Sequence, residues 1–153
     1  MANKFKLDLV LKNFKRSEGA MITEIAGYAK KFYLQSFDKQ GWGGKQWKQV
    51  RRRIPGTPEY EYPKKKGTAR RRKPILVGKG VLRRAVNNSV KSKSSSMIKF
   101  QVDVPYADIH NTGGVMRNGK RMPKRQFMGW SKELNKGIKG IIDKYMINAT
   151  KAN

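Results

Sequence analysis

Apolar and polar residues alternate at the start of the chain and then recur at a longer step. Phe5, Leu7, Leu9 and Leu11 share one side of a two-residue period, with Lys6 and Asp8 opposite. That period predicts a half-buried strand over residues 5–11. From Ser17, a candidate N-cap with Glu18 in the first turn, the step lengthens to three and four. Ile22, Ile25, Ala26, Ala29, Phe32, Tyr33 and Phe37 then form one stripe on a core-facing helix. It spans roughly 20 residues, about 30 Å.

Patterning resumes at Ile75-Leu76-Val77, followed by Gly78 and Gly80 and a short helix predicted from Lys79 to Val86. Asn87-Asn88-Ser89 stops that helix, and the polar, Ser-rich stretch from Val90 to Ser96 reads as a turn. Ile98, Phe100, Val102 and Val104 alternate with Lys99, Gln101 and Asp103, the clearest strand in the chain, and Pro105 ends it. Tyr106 to His110 reads as a helical turn or coil closed by Gly113-Gly114. Asn118-Gly119 predicts a two-residue type I′ hairpin, because both residues accept positive φ. Ser131 is a candidate N-cap for a closing helix that carries Leu134, Ile138, Ile141, Ile142, Tyr145 and Met146. Gly137 and Gly140 either weaken that helix by up to ~1 kcal/mol each or admit close packing. The order predicts an α+β class: a small antiparallel sheet packed against a long N-terminal helix and a C-terminal helix. At 153 residues the chain reads as a single domain, 1–153.

Residues 39–74 break this patterning. Gly41, Gly43 and Gly44 surround Trp42, Trp47 follows, and Pro55, Pro58, Pro63 and Pro74 punctuate basic blocks. The blocks are Arg51, Arg52 and Arg53; Lys64, Lys65 and Lys66; and Arg70, Arg71, Arg72 and Lys73. Prolines and like charges oppose regular packing, so the segment reads as a long extended basic arm, ordered by another chain or by nucleic acid. Trp42 and Trp47 read as anchors of its root on the core. Over the whole chain, 36 Lys and Arg face 10 Asp and Glu, a net charge of +26. Such a chain binds polyanions without sequence preference and also suits acidic protein surfaces.

Candidate catalytic chemistry is scarce. There is no Cys and a single His, His110, so disulfides and Cys-based metal sites are excluded and a zinc site has too few ligands. Asp103, Asp108 and His110 lie close in sequence without a nucleophile at a fixed offset. Gly78-Lys79-Gly80 lacks the spacing of a phosphate loop. A nuclease would need an acidic metal cluster that the pattern does not supply. The expectation is therefore a non-enzymatic protein without cofactor or metal. No apolar run reaches the ~20 residues of a membrane span, and the opening residues carry no cleavable signal pattern. Synthesis in the cytoplasm, without a membrane partner, is the expectation.

Four segments, taken in order, resemble the Mu-type phage virion morphogenesis family, which includes tail-completion proteins. Phe37 to Trp47 is similar to its helix end followed by a G-x-x-W element, and Ile75 to Arg83 to its "iL…G.Lr" element. Tyr106 to Gly114 is similar to "YA.iH..Gg", and Arg121 to Gly129 to "r.mPaR.FlG". The resemblance covers roughly residues 17–147. It implies a structural virion protein of the neck or tail end, for tail completion or head–tail joining, with no enzymatic activity. It further implies a closed ring of copies, six-fold as in the tail tubes of such phages, beside other neck or tail proteins. Trp42, Trp47, Gly80, Leu82, Tyr106, Ala107, His110, Gly113, Gly114, Pro123, Arg125 and Phe127 are the motif positions, read mainly as fold-determining. The arm is richer in Lys and Arg than the family pattern, which adds DNA as a candidate contact. A general nucleic-acid-binding protein using the arm is the alternative reading.

Overall fold

A computed structural model describes residues 2–61 and 67–151. Lys64, Lys65 and Lys66 of the predicted arm lie outside the described residues. The elements mix helix and strand: α1 (Ala2–Lys39), β1 (Gly41–Trp42), β2 (Lys45–Gln46), a 3-10 turn (Arg51–Arg53), α2 (Pro58–Glu61), α3 (Gly67–Arg72) and α4 (Val81–Asn87). They continue with β3 (Val90–Lys93), β4 (Ile98–Phe100), α5 (Ala107–Thr112), β5 (Gly114–Val115), β6 (Arg121–Met122) and α6 (Lys132–Lys151). The α+β class with long terminal helices holds. Among the described residues the strands form three separate two-stranded antiparallel sheets, β1-β2, β3-β4 and β5-β6.

The strand expected over residues 5–11 is helix instead, because α1 runs from Ala2 without interruption. No glycine or proline separates Leu11 from Ser17. A seven-residue alternation cannot outweigh continuous helical hydrogen bonding where no partner strand is supplied. Ser17 accordingly does not cap: its hydroxyl donates back to the Phe14 carbonyl at 3.0 Å, as serines inside helices do. Residues 90–93, read as a turn, form β3, paired with β4 through a register irregularity between Val90 and Ser92. Lys93 and Ser92 gave no apolar signal because this pairing is made by backbone groups.

The chain divides into two compact units. One comprises Met1–Phe32, Ser89–Gln101 and Trp130–Asn153. There α6 runs antiparallel to α1: the Asn13 amide donates to the Ala149 carbonyl at 3.4 Å, Lys144 pairs with Glu24 at 2.6 Å, and Gly137 lies against Tyr28. Met21, Ala26, Ala29, Leu134 and Ala149 are its buried apolar side chains. Ser131 caps α6 as expected, accepting the Leu134 amide at 3.1 Å.

The second unit comprises Tyr33–Asn88 and Val102–Gly129. Its buried set is Tyr33, Phe37, Trp47, Ile75, Leu82, Val86, Ala107 and Phe127. Phe37 is the centre: Trp47 meets it edge-on at 5.8 Å and Phe127 tilts against it at 5.5 Å. The Gln40 side chain, just past α1, donates to the Phe37 and Ile75 carbonyls and accepts the Ile75 amide. The β5–β6 loop is longer than the predicted two-residue turn. Met116 N–H bonds the Lys120 carbonyl and Gly119 N–H bonds the Met116 carbonyl, both at 2.9 Å. Only Gly119 takes positive φ, +74°. This is the three-residue arrangement in which a bulge glycine ends the turn, and Asn118 instead accepts the Lys120 amide through its side chain.

Candidate interaction site in a basic cleft

Residues 39–74 hold β1, β2, the 3-10 turn, α2 and α3, where the sequence predicted an extended arm. Among its described residues, its own arginines bridge backbone carbonyls. The last carbonyls of a helix have no partner within the helix, and α3 leaves those of Arg70, Arg71, Arg72 and Lys73 near its end. Arg52 donates to the Arg70 carbonyl at 3.2 Å and the Lys73 carbonyl at 2.8 Å. Arg53 donates to the carbonyls of Arg71 at 2.9 Å, Arg72 at 3.3 Å and Lys73 at 2.9 Å. In return Arg70 bonds the Glu59 carbonyl at 2.8 Å, and Arg71 bonds the Tyr60 carbonyl while lying 3.7 Å over the Tyr60 ring. Arg51 pairs with the Glu59 carboxylate at 3.0 Å. A guanidinium fork spreads five donors in a fixed plane and so spans several carbonyls at once, a reach the compact lysine ammonium lacks. Arg72 and Lys73 are exposed.

Two motif segments meet beneath this layer. The Arg125 amide donates to the His110 carbonyl at 2.7 Å, and the Phe127 and Met128 amides share the Asn111 Oδ1 at 2.9 and 3.1 Å. Gly113 is required there: its φ is +75°, and a Cβ would stand 2.9 Å from the Lys124 nitrogen. The buried Arg125 guanidinium donates twice to the Lys48 carbonyl, at 3.2 and 3.1 Å, tying this junction to the arm. Trp47 Nε1 bonds the Gln126 carbonyl at 2.8 Å, and Trp42 stacks on Tyr33 at 6.0 Å. Leu82 and Ala107 are buried, Gly80 precedes α4 at φ +80°, and Gly114 opens β5. Tyr106 stands edge-on to His110 at 5.8 Å. His110 Nδ1 is shielded from solvent with no hydrogen-bond partner among the described residues. Burial, then the charge of Arg125, holds the imidazole below its ordinary pKa. Gln40 and Asn111 are the polar organisers whose role sequence reasoning missed; their only signal is their place within the quoted segments.

A cleft of about 860 Å³ opens in this unit between the arm and the β5–β6 hairpin. Lys48, Arg51, Arg52, Arg70, Arg121 and Lys124 line it, and Glu59 is its one carboxylate among the described residues. Val50, Ile54, Val115, Met122 and Pro123 give it an apolar lining. Burial, then Arg53 and Arg70, lowers the pKa of Arg52; burial, then Arg52, does the same to Arg125. Positive charge is therefore already crowded here, and an anionic group entering the cleft relieves it. No group of three or more His, Asp or Glu side chains able to hold a metal gathers among the described residues. No helix among them is long and apolar enough to cross a membrane.

An α+β chain whose four signature segments pack into one junction, with a basic cleft between the arm and the β5–β6 hairpin, is thus defined. It belongs to the phage virion morphogenesis family, whose sequence profile matches residues 4–147. Membership gives it a role in phage structure and assembly, a place in the virion, and other virion proteins as its partners. Neither a curated protein nor a solved structure matches the chain.

Proposed function

We propose that this chain is a non-enzymatic ring subunit of the neck or tail end, acting in tail completion or head–tail joining. The carrying observation is the family match over nearly the whole chain. The junction agrees with it: Arg125, Asn111, Trp47 and Phe127 spend their polar and aromatic groups on holding backbone and core. The alternative, a general nucleic-acid binder, draws on the net charge of +26. It is weakened where Arg52, Arg53, Arg70 and Arg71 turn toward carbonyls of their own chain, since guanidiniums so engaged have fewer donors left for phosphates. Exposed cations such as Arg72 and Lys73 serve contact with DNA passing through the ring or with acidic neighbours. Locating the labelled subunit in purified particles, with its stoichiometry, tests the proposal. Several copies, six by expectation, in a closed ring at the neck or tail end support it. A chain absent from particles and recovered on cellular RNA overturns it and favours the alternative.

A further inference from the structure

We propose that the cleft between the arm and the β5–β6 hairpin is a docking groove for an extended segment of another virion protein, one that combines acidic with apolar side chains. The inference adds a partner chemistry to the assembly role and does not depend on ring closure. Three observations select the occupant.

The rim is cationic: Arg51, Arg121 and Lys124 line it beside the more enclosed Arg52 and Arg70, with Glu59 already engaged by Arg51. The groove is also apolar. Val115 is 63% exposed and Ile54 41%, large hydrophobic side chains left in water beside Met122 and Pro123. A phosphate backbone matches the charge but leaves those side chains unburied, whereas a peptide with carboxylates and aliphatic groups satisfies both. Finally, the occupant is not a second copy of this chain. Its 10 acidic residues are nowhere adjacent, and Glu59 and Glu61, its densest pair, belong to the arm itself. Two copies at +26 each also repel.

The groove has a built geometry. Arg125, just past the hairpin, ties the arm down at Lys48, and the Arg52 and Arg53 forks brace the arm itself. Little ordering is left to oppose binding, which favours affinity for an extended ligand.

The test uses the full chain and a labelled synthetic peptide of about twelve residues alternating Glu and Leu, read by fluorescence anisotropy at about 0.15 M salt. An all-Glu peptide of equal charge and a thymidine oligonucleotide of similar length are the comparison probes. The alternating peptide should bind at least about tenfold tighter than either. Val115→Asp and Arg121→Glu, both at exposed positions, should each weaken it by about tenfold or more while circular dichroism stays unchanged. Should one of them unfold, Lys48→Glu, also exposed, supplies the same reading. Hydrogen exchange should slow at residues 112–116 and 120–123 when the alternating peptide is added. Equal binding of all-Glu peptide would reduce the groove to its charge and overturn the proposal. Tighter binding of the oligonucleotide would transfer the groove to nucleic acid. Alternating-peptide binding that ignores all three substitutions would place the contact elsewhere. None of these outcomes touches ring closure in particles.

Discussion

Gly137 and Gly140 stand three residues apart on α6, yet their surroundings are opposite. A Cβ at Gly137 would overlap the hydroxyl and ring of Tyr28 on α1, whereas one at Gly140 meets nothing within 4 Å. Gly137→Ala should therefore destabilise the protein by about 1–3 kcal/mol as Tyr28 is driven out. Gly140→Ala should stabilise it by about 0.4–1 kcal/mol through helix propensity and a less free unfolded chain. Paired urea melts check this, and equal signs would refute the close approach of α6 to α1. From the sequence the two glycines are indistinguishable, because the partner ring lies more than a hundred residues away. His110 gives a second test at this scale. Its imidazole is held below the ordinary value of 6.5 by burial and Arg125, so the unfolded chain takes up the proton first. The contribution is complete above about pH 6.5 and falls as pH drops through the lowered folded value. Melts between pH 7.5 and pH 5 should show that decline, and His110→Gln should flatten it. Identical slopes in the two proteins would show that His110 is not the titrating group.

At the scale of elements, arginine does for the arm what a core does elsewhere. Replacing Arg52 and Arg53 together with lysine keeps the charge but removes the forks that span the carbonyls of residues 70–73. Amide exchange over 69–74 should accelerate by at least about tenfold while α6 keeps its protection. Unchanged exchange would mean that the forks are incidental. The basic blocks and prolines of this segment were visible in the sequence, but their role was not. A run of arginines reads as solvated charge until its carbonyl acceptors are placed, and those lie some 20 residues further on. The four signature segments were legible as a recognised pattern of residues, although the contacts they make, such as Trp47 to Gln126 and Arg125 to Lys48, span long stretches of chain. Ser131 at the start of α6 and Phe37 on the buried stripe belong to the same legible class. Phe37→Ala should accordingly cost on the order of 3–5 kcal/mol, as expected for a buried aromatic between Trp47 and Phe127. A loss under about 1 kcal/mol in a denaturant melt would remove Phe37 from the centre of its unit. The alternation at residues 5–11 misled because period two is decisive only where a partner strand exists.

For the whole molecule, charge is the dominant unbalanced quantity. Ion pairs such as Arg83–Asp38 at 2.9 Å and Lys144–Glu24 at 2.6 Å involve half-exposed side chains, and pairs of that kind contribute little. With 10 acidic residues against 36 basic ones, most cations repel one another across the fold. Repulsion of this kind opposes the compact state, because unfolding lets like charges separate. Raising salt from about 0.01 M to about 0.15 M shortens the screening length from about 30 Å to about 8 Å. The thermal midpoint of the isolated chain should therefore rise over that range, opposite to a protein held together by ion pairs. An acidic partner should act like salt, but locally and at low concentration: the alternating Glu–Leu peptide should raise the midpoint further than the all-Glu peptide at equal charge. That difference separates neutralisation alone from docking in the cleft, and it carries over to assembly. On the proposed docking, a subunit stabilised by acidic neighbours would fold most firmly on the virion surface, where docked copies could sit side by side while free copies repel. A midpoint that falls with added salt would show that attraction, not repulsion, governs the charge of this fold, and would remove that route to ordered assembly.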